Sequence, residues 1–399
     1  MSADPAVTER LRPFGVSIFS EMSALALEHG AINLAQGFPD FPAPPLVKEA
    51  ACAAIRDDHN QYAPSQGVRR LRQAIAAFYR RRYALDYDPD RQVTVFSGAT
   101  EAIHAAILSL LEPGDEVVCF EPLYDSYLPN IALAGAVARV VTLHAPDFAW
   151  RAGELEAAFG PRTRLVLLNT PHNPSGKVFS PAELDQLGAL CRRHDCWLVS
   201  DEVYEHLTFD GWEHVPPATR AGLFERTVTI SSTAKTFSVT GWKIGYALAP
   251  EPLTQALRME HQFVTFCSAT PLQHAMAVAL EQADRYYVEL RAAYAERREL
   301  LVTTLESVGL KVRRPTGTYF ALADIRDAGL GDDVEFCHRL VREVGVAAVP
   351  SSAFYARSRE GSNYARFSFC KQLETLQAAG ARLRAWRERG ARSSAGSVG

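Results

Sequence analysis

The sequence predicts an α/β fold, in which a mostly parallel sheet of seven strands lies between helices, followed by a smaller α+β domain. Seven short runs rich in Val, Ile and Thr are apolar at consecutive positions, which is typical of strands buried on both faces. Amphipathic helix patterns separate the runs, and this alternation predicts parallel strands covered by helices. The predicted strands are 92–98, 116–122, 136–143, 164–170, 196–202, 226–232 and 243–250.

The chain divides into four segments. Residues 1–45 show little periodicity and end in the Pro-rich FPDFPAPP, so we expect an N-terminal arm that also contributes to the small domain. Residues 46–284 carry the strand–helix alternation of the large domain. From 285 a long charged helix pattern precedes isolated strand-like segments, which predicts a small domain over 285–390. Residues 391–399, ARSSAGSVG, are expected to form a disordered tail.

Helix patterns between the strands place their apolar residues on one face. Leu71, Ile75 and Phe78 recur at helical spacing. The segment SPAE at 180–183 has the form of a capping box with Pro at the first helical position, so a helix is predicted to begin there.

Composition excludes several classes of protein. The 399 residues include 42 Lys and Arg against 46 Asp and Glu, a net charge of −4, and no basic run is long enough for a nucleic-acid surface. No uncharged apolar stretch of about 18 residues occurs, and the N-terminus lacks the apolar core of a signal peptide. The seven cysteines form no CxxC pair. We therefore expect a cytoplasmic protein with reduced thiols and without a metal, nucleic-acid or membrane partner.

Ligands of open α/β sheets bind beyond the carboxyl ends of the strands, so the residues after each run are the candidates. Residues 97–100 open a helix where backbone N–H groups favour an anion, although a plain strand–helix turn has the same composition. The loop NTPHNPSG either points the amide of Asn173 at a ligand or forms a tight turn. Asp201 directly follows an apolar strand and needs a cation or a hydrogen-bond donor.

Lys235 follows the sixth run among small and apolar residues. Burial would lower the pKa of this lysine and give a nucleophilic amine able to form a Schiff base, whereas most lysines are solvated surface residues. Ser232 and Lys235 also share the S-x-x-K spacing of serine acyl-enzymes such as β-lactamases, but the S-D-N and K-T-G motifs of those enzymes are missing from the sequence. No GxGxxG, Walker A, GxSxG or HExxH motif occurs.

Three segments together, NTPHNPSG, SDEVYEHL and SSTAKTFSVTGWKIGY, resemble the class I/II aminotransferases, the fold-type-I enzymes that use pyridoxal 5′-phosphate (PLP). They stand in the family's order and spacing, and with YARFSFCK the resemblance covers about residues 10–385. It implies a PLP-dependent transferase fold of type I. It also implies ping-pong transfer of an amino group from an amino acid to a 2-oxo acid, in a homodimer with shared active sites.

The resemblance also assigns roles to residues. Lys235 is the implied catalytic residue, which holds PLP covalently and moves a proton, and Asp201 pairs with the pyridinium nitrogen. Many relatives have Arg where Lys243 stands, and Lys keeps the charge but loses the bidentate fork. The implied cofactor-binding residues are Ala99, Thr100, Tyr124, Asn173, Asp201, Tyr204, Ser232, Lys235, Lys243 and, from the partner subunit, Tyr62. The implied substrate-binding residues are Phe19, Gly37, Asn173, Phe266 from the partner subunit, and Arg366 as the carboxylate clamp.

The segments NLAQGFPDFPAPP, NQYAPSQG, EPLYDSY, GTYF and VGVAAVP are most similar to the kynurenine, glutamine and methionine aminotransferases. The implied pocket is aromatic and favours donors of the methionine, kynurenine, glutamine or phenylalanine type over aspartate. Arg69 and Arg70 keep a dicarboxylic donor possible. A succinyl-diaminopimelate aminotransferase and a cysteine-S-conjugate β-lyase are the alternatives within enzymes. A PLP-sensing regulator is disfavoured, because only about 15 residues precede the arm and no basic helix is present.

Overall fold

The computed structural model describes residues 7–395, with side chains through residue 389. The chain begins with helix α1 (Ile18–Glu28) and a short strand β1 (Ile32–Asn33). The helix starts at Ser17, whose hydroxyl accepts a hydrogen bond from Phe19 N, and it fully buries Met22 and Ala26. Only two positions of α1 are fully buried, so its periodicity in the sequence is weak, and the predicted N-terminal arm contains a helix that the sequence did not reveal.

The seven apolar runs form one seven-stranded sheet, as predicted. Its strand order is β2-β8-β7-β6-β5-β3-β4. The strand β8 runs antiparallel to β2 and β7, and the remaining neighbours pair in parallel. The strands are β2 (Val93–Phe96), β3 (Glu116–Glu121), β4 (Val137–Thr142), β5 (Thr163–Asn169), β6 (Trp197–Asp201), β7 (Thr227–Ser232) and β8 (Gly245–Leu248).

Helices cover both faces of this sheet. Along β5, Leu167 packs with Ile103 on one face, whereas Val166 packs with Leu184 on the other, because successive side chains of a strand point to opposite faces. This two-sided burial explains why the runs are apolar at consecutive positions. The helices of this part of the chain are α2 (Pro45–Arg56), α3 (Arg69–Tyr83), α4 (Ala99–Leu110), α5 (Tyr127–Leu133), α6 (Glu154–Ala158), α7 (Pro181–Arg193), α8 (Thr233–Thr236), α9 (Glu251–Val264) and α10 (Thr270–Glu281).

The second sheet is smaller and antiparallel, with strand order β12-β13-β10-β9. The strand β1 from the N-terminal segment pairs in parallel with β11, so this segment packs with the small sheet and its helices. The strands are β9 (Lys311–Val312), β10 (Phe320–Asp324), β11 (Val346–Ala347), β12 (Val349–Pro350) and β13 (Tyr364–Ser368). The helices are α11 (Asp284–Ser307), α12 (Asp333–Arg339), which continues into a π-helical turn over Leu340–Val344, and α13 (Leu373–Ala395).

The structure also bears on the predicted start of α7 and on the predicted C-terminal tail. The capping box of α7 is confirmed, since the Ser180 hydroxyl accepts from Glu183 N and the Glu183 carboxylate accepts from Ser180 N at 2.9 Å. A disordered tail was predicted over 391–399, whereas α13 continues through Ala395. Residues 396–399 lie outside the described residues. Within 7–395, no helix is both long enough and apolar enough to cross a bilayer.

Candidate active site

The carboxyl ends of β5, β6 and β7 and the N-terminus of α4 surround a cavity of about 690 Å³, counting the space open to solvent. We call it the strand-end cavity. Nine predicted cofactor-binding residues line it, and the structure therefore brings them together. They are Ala99, Thr100, Tyr124, Asn173, Asp201, Tyr204, Ser232, Lys235 and Lys243. The other lining residues are Gly98, Ile103, Asn169, Val203, Ala234 and Thr240. Gly98 belongs to the predicted helix-opening segment 97–100 and Asn169 to the predicted loop NTPHNPSG, whereas the other four were not predicted.

Asp201 is a buried carboxylate at the last position of β6. Its Oδ2 accepts a hydrogen bond of 2.6 Å from the hydroxyl of Tyr127, the first residue of α5. Burial raises the pKa of Asp201 to about 6, while the bond from Tyr127 and the positive charge of Lys235 act in the opposite direction. The sequence predicts that Asp201 needs a cation or a donor, but it does not identify Tyr127, which follows Tyr124 by three residues in EPLYDSY.

Lys235 lies in the short helix α8, directly after β7. Its Nζ donates to the backbone carbonyl of Gly37 at 3.2 Å and lies 5.8 Å from the ring centre of Tyr319. Burial lowers the pKa of Lys235 to about 8, and the nearby acidic groups of Cys370 and Asp201 act in the opposite direction. The amine is therefore much closer to its unprotonated form at neutral pH than an ordinary lysine, in line with the lowered pKa that its sequence position predicts.

The turn before α4 has the geometry of an anion site. Gly98 adopts a φ of 86°, and a Cβ at this position would lie 3.1 Å from Nζ of Lys243. A Cβ on Gly245 of β8 would lie 2.4 Å from the backbone N of Ala99, so only glycine lets β8 pass this closely. The first N–H groups of a twelve-residue helix and one ammonium group thus face the same cavity wall.

Arg366 lies in β13 and is only 1 % exposed. Its Nη1 donates to Oδ1 of Asn173 at 3.1 Å, and its Nη2 donates to the carbonyl of Ala35 at 2.8 Å. Burial lowers the pKa of Arg366 to about 10. Its Nε has no hydrogen-bond partner among the described residues. Because the amide oxygen of Asn173 serves Arg366, its amide nitrogen is the group available to a ligand.

Three aromatic rings enclose the guanidinium of Arg366. The carbon Cζ lies 4.0 Å from the ring centre of Phe320, 4.8 Å from that of Phe19 and 5.0 Å from that of Phe354. Phe19 was predicted at the substrate site, and the structure places it on Arg366. The sequence did not predict Phe320 or Phe354 at this site, although Phe320 is the last residue of the segment GTYF.

A second cavity, of about 1120 Å³ with its open space, adjoins the first at Tyr124. We call it the arm cavity, because residues 13–18 of the N-terminal segment form one wall and Phe354 and Tyr355 form another. Asp125 is the one ionisable side chain other than tyrosine among its described lining residues. Its Oδ2 accepts from the Ser17 hydroxyl at 3.3 Å, and burial raises its pKa.

Four predicted residues lie away from both cavities. Tyr62 is 81 % exposed and Phe266 is 46 % exposed, and their rings meet edge to face at 5.3 Å on the surface. Arg69 pairs with Asp90 at 2.9 Å, and Arg70 pairs with Glu281 at 2.6 Å. Both arginines thus pair with carboxylates of the chain at the surface, and their service to a dicarboxylic donor stays a prediction.

The family described as aminotransferase class I and II matches residues 29–383. The chain is 45 % identical to the probable N-succinyldiaminopimelate aminotransferase of Mycobacterium tuberculosis, over 95 % of this chain and 98 % of that one. The solved structure of that enzyme superposes with a TM-score of 0.93 over 96 % of this chain and all of that one. The methionine aminotransferase of Escherichia coli is 43 % identical, over 96 % of this chain and all of the other. A kynurenine–oxoglutarate transaminase of Dictyostelium discoideum is 38 % identical, over 92 % and 93 %.

The chain belongs to the class I and II aminotransferases. It is an enzyme that transfers an amino group between amino acids and 2-oxo acids with PLP as its coenzyme. The predicted fold, enzyme class and coenzyme are thereby confirmed.

Proposed function

We propose that the preferred donor is an apolar, aromatic or sulfur-containing L-amino acid, of the methionine, kynurenine, glutamine or phenylalanine type. The enclosure of Arg366 by aromatic rings beside the arm cavity carries this proposal. A buried guanidinium with N–H groups to spare binds a carboxylate strongly. With the donor carboxylate at Arg366, its side chain meets the arm cavity, whose described lining has no cation and one carboxylate, Asp125. That carboxylate repels an acidic side chain.

The strand-end cavity fits PLP at three points. The turn at Gly98 and Lys243 suits the phosphate, the buried carboxylate of Asp201 suits the ring nitrogen, and the amine of Lys235 suits the aldehyde. When bound, PLP supplies a carbonyl for a covalent link and a ring that accepts electron density from the substrate Cα. The further proposed contacts are Ala99, Thr100 and Ser232 to the phosphate, Tyr124 to the ring face, and Asn173 and Tyr204 to the ring oxygen.

Lys235 is the proposed catalytic base and acid. Its Nζ accepts the proton from the substrate Cα and returns it, and a pKa near 8 allows both directions close to neutral pH. The carbonyl of Gly37 holds Nζ at 3.2 Å. Arg366 fixes the substrate carboxylate, so that the C–H bond to be broken faces Nζ.

We further propose a homodimer with shared active sites. Tyr62 and Phe266 sit in an exposed apolar patch, and such patches are typical of subunit interfaces. From there Tyr62 would reach the partner's phosphate site and Phe266 the partner's substrate. Met259, Phe263 and Val264, in the helix α9 that precedes Phe266 in the chain, are also exposed apolar residues.

Mixing two impaired variants tests the shared site. In a hybrid dimer, the Tyr62→Ala subunit contributes an intact Lys235 and the Lys235→Ala subunit contributes an intact Tyr62 to one complete site. After subunit exchange we expect about a quarter of wild-type activity, since half of the dimers are hybrids with one complete site. No recovery despite verified hybrid dimers would contradict sharing.

A donor panel tests the substrate proposal. Each L-amino acid is reacted once with the loaded enzyme, without a 2-oxo acid, and the loss of visible coenzyme absorbance is followed. We expect methionine, phenylalanine, glutamine and kynurenine to react faster than aspartate and glutamate. Faster reaction with aspartate would contradict the proposed donor class.

The relative of 45 % identity makes N-succinyl-diaminopimelate the second candidate donor, and it belongs in the same panel. A marked preference for it would replace the proposal above. A β-lyase side activity would show as pyruvate released from a cysteine S-conjugate without any 2-oxo acid.

A further inference from the structure

The loop between β12 and β13, residues 351–363, carries Phe354 and lies against the carboxyl ends of β3 and β4. The carbonyl of Phe354 accepts a hydrogen bond of 2.6 Å from Leu123 N. The guanidinium of Arg357 donates to the carbonyl of Val140 at 2.8 Å. This loop of the small domain is therefore fastened to the large domain beside the arm cavity.

Glu121, the last residue of β3, makes the most extensive of these contacts and has no solvent exposure. Its carboxylate accepts hydrogen bonds from three consecutive backbone N–H groups, those of residues 356, 357 and 358, at 2.7, 2.9 and 3.0 Å. The hydroxyl of Thr142 donates to it at 2.7 Å. All four groups are donors, so an ionised carboxylate satisfies them and an amide would not.

The anchored backbone is close in sequence to the ring that faces Arg366. One residue, Tyr355, separates Phe354 from the first N–H group bound by Glu121. Phe354 is buried, its ring centre lies 5.0 Å from Cζ of Arg366, and it lines the arm cavity. A shift of the anchored segment would therefore move this ring.

A second contact secures the far end of the loop. The imidazole of His144 lies between two carboxylates, with Nδ1 2.6 Å from Glu360 and Nε2 2.9 Å from Glu154. Glu360 belongs to the loop, and Glu154 begins α6 of the large domain. Because the loop is held at both ends, losing the bonds to Glu121 should loosen residues 354–358 without detaching the whole loop.

We propose that Glu121 is a positioning residue for donor recognition, which holds the loop backbone and so keeps Phe354 against Arg366 and at the wall of the arm cavity. The proposal rests on the proposed function, because it takes the arm cavity as the place of the donor side chain. Glu121 contacts neither donor nor coenzyme in this role and acts through Phe354.

The test compares Glu121→Gln with Glu116→Gln. Glu116 begins the same strand, is equally buried and pairs with Arg139 and Arg162, so its substitution also removes a buried charge from β3. The apparent affinity and the limiting rate of the single half-reaction are measured for L-phenylalanine and L-alanine. For Glu121→Gln we expect the phenylalanine-over-alanine preference to fall about tenfold, through affinity rather than limiting rate, as for a small misplacement of a contact group. Glu116→Gln should keep the preference.

Two further measurements separate positioning from a general loss of stability. Hydrogen exchange followed by mass spectrometry should be faster in the peptide spanning 352–363 of Glu121→Gln and unchanged there in Glu116→Gln. Phe354→Ala should lower the donor preference by itself. Adding Glu121→Gln to it should change the preference by less than about twofold, because residues that act through one contact are not additive.

Equal preferences in the two glutamine variants, or additive effects of Glu121→Gln and Phe354→Ala, would overturn the proposal. If Glu121→Gln does not fold, Thr142→Val is tested instead, because it removes one of the four hydrogen-bond donors to Glu121. It should then lower the preference about threefold, consistent with the loss of a single hydrogen bond, and no change would count against Glu121. If the wild type itself lacks the phenylalanine preference, the donor class is wrong, and the exchange data alone decide whether Glu121 holds the loop.

Discussion

Replacing Tyr127 by Phe removes one hydroxyl from the environment of Asp201 and tests how the chain maintains this buried carboxylate. The hydrogen bond is 2.6 Å long, and both partners are buried. A hydrogen bond to a charged group contributes about 1.5–3 kcal/mol. At about 1.4 kcal/mol per pKa unit, its loss raises the pKa of Asp201 by about one to two units. Burial already raises that pKa to about 6, so without bound coenzyme about half to nine-tenths of the carboxyl groups of the variant are neutral at pH 7.

A neutral Asp201 cannot stabilise a proton on the coenzyme ring. We therefore expect the half-reaction with L-phenylalanine to slow about two- to tenfold at pH 7, since a carboxyl group with its pKa raised by one to two units keeps about half to one tenth of its ionised form there. The loss should shrink as the pH is raised from 6 to 9, because the carboxyl group then ionises. Stopped-flow absorbance measures the rate, and coenzyme dissociation during dialysis measures the accompanying loss of affinity.

Tyr287→Phe is the matched control. The hydroxyl of Tyr287 is buried and finds no hydrogen-bond partner among the described residues, so its removal should leave the rate unchanged. The reasoning fails if Tyr127→Phe reacts within twofold of the wild type across this pH range. It also fails if its pH profile keeps the wild-type midpoint.

Three other predictions concern the charged residues of the site. Lys235→Ala should fold and take up PLP but lose the visible absorbance of covalently held coenzyme and all transamination, as absorbance and circular dichroism can show; remaining activity would assign the base elsewhere. The second prediction concerns the free energy of unfolding in urea, measured without added coenzyme. Between about pH 8 and 10.5 it should rise for the wild type relative to Lys235→Ala. In this range Lys235, with its pKa of about 8, is unprotonated in the folded chain but still protonated in the unfolded chain. If the free energies of unfolding of the wild type and Lys235→Ala change with pH in the same way, Lys235 does not have the lowered pKa. Arg366→Lys should weaken donor affinity about 10- to 100-fold by losing the bidentate fork, and an equal effect on 2-phenylethylamine, which has no carboxylate, would remove the clamp role.

The sequence predicted those site residues that directly follow a recognisable strand. Asp201 and Lys235 each come directly after a strand whose apolar run is unmistakable, and parallel strands end at one edge of the sheet. The strand-end cavity therefore follows from the order of strands and from the residue types at their ends. The roles of these residues came from the resemblance of the motifs to a family, not from spacing.

Contacts between segments far apart in the chain could not be predicted in this way. Phe19 and Phe354 meet on Arg366, and no periodicity relates the N-terminal segment to β13. Glu121 reads as an ordinary strand end before a proline, and its three backbone partners lie more than 230 residues further on. The same limit applies to the carboxylate partners of Arg69 and Arg70, which folding brings to them.

The charged groups at the centre of this site share one physical feature. Burial raises the pKa of Asp201 and lowers the pKa values of Lys235 and Arg366, so in each case the charged form is disfavoured. Contacts within the chain, such as those from Tyr127 and Asn173, offset only part of that cost. A ring cation beside Asp201 and a carboxylate beside Arg366 would offset more of it. Binding of coenzyme and donor should therefore stabilise the fold, and the same burial that destabilises these charges makes the site selective for ligands that carry the complementary ones.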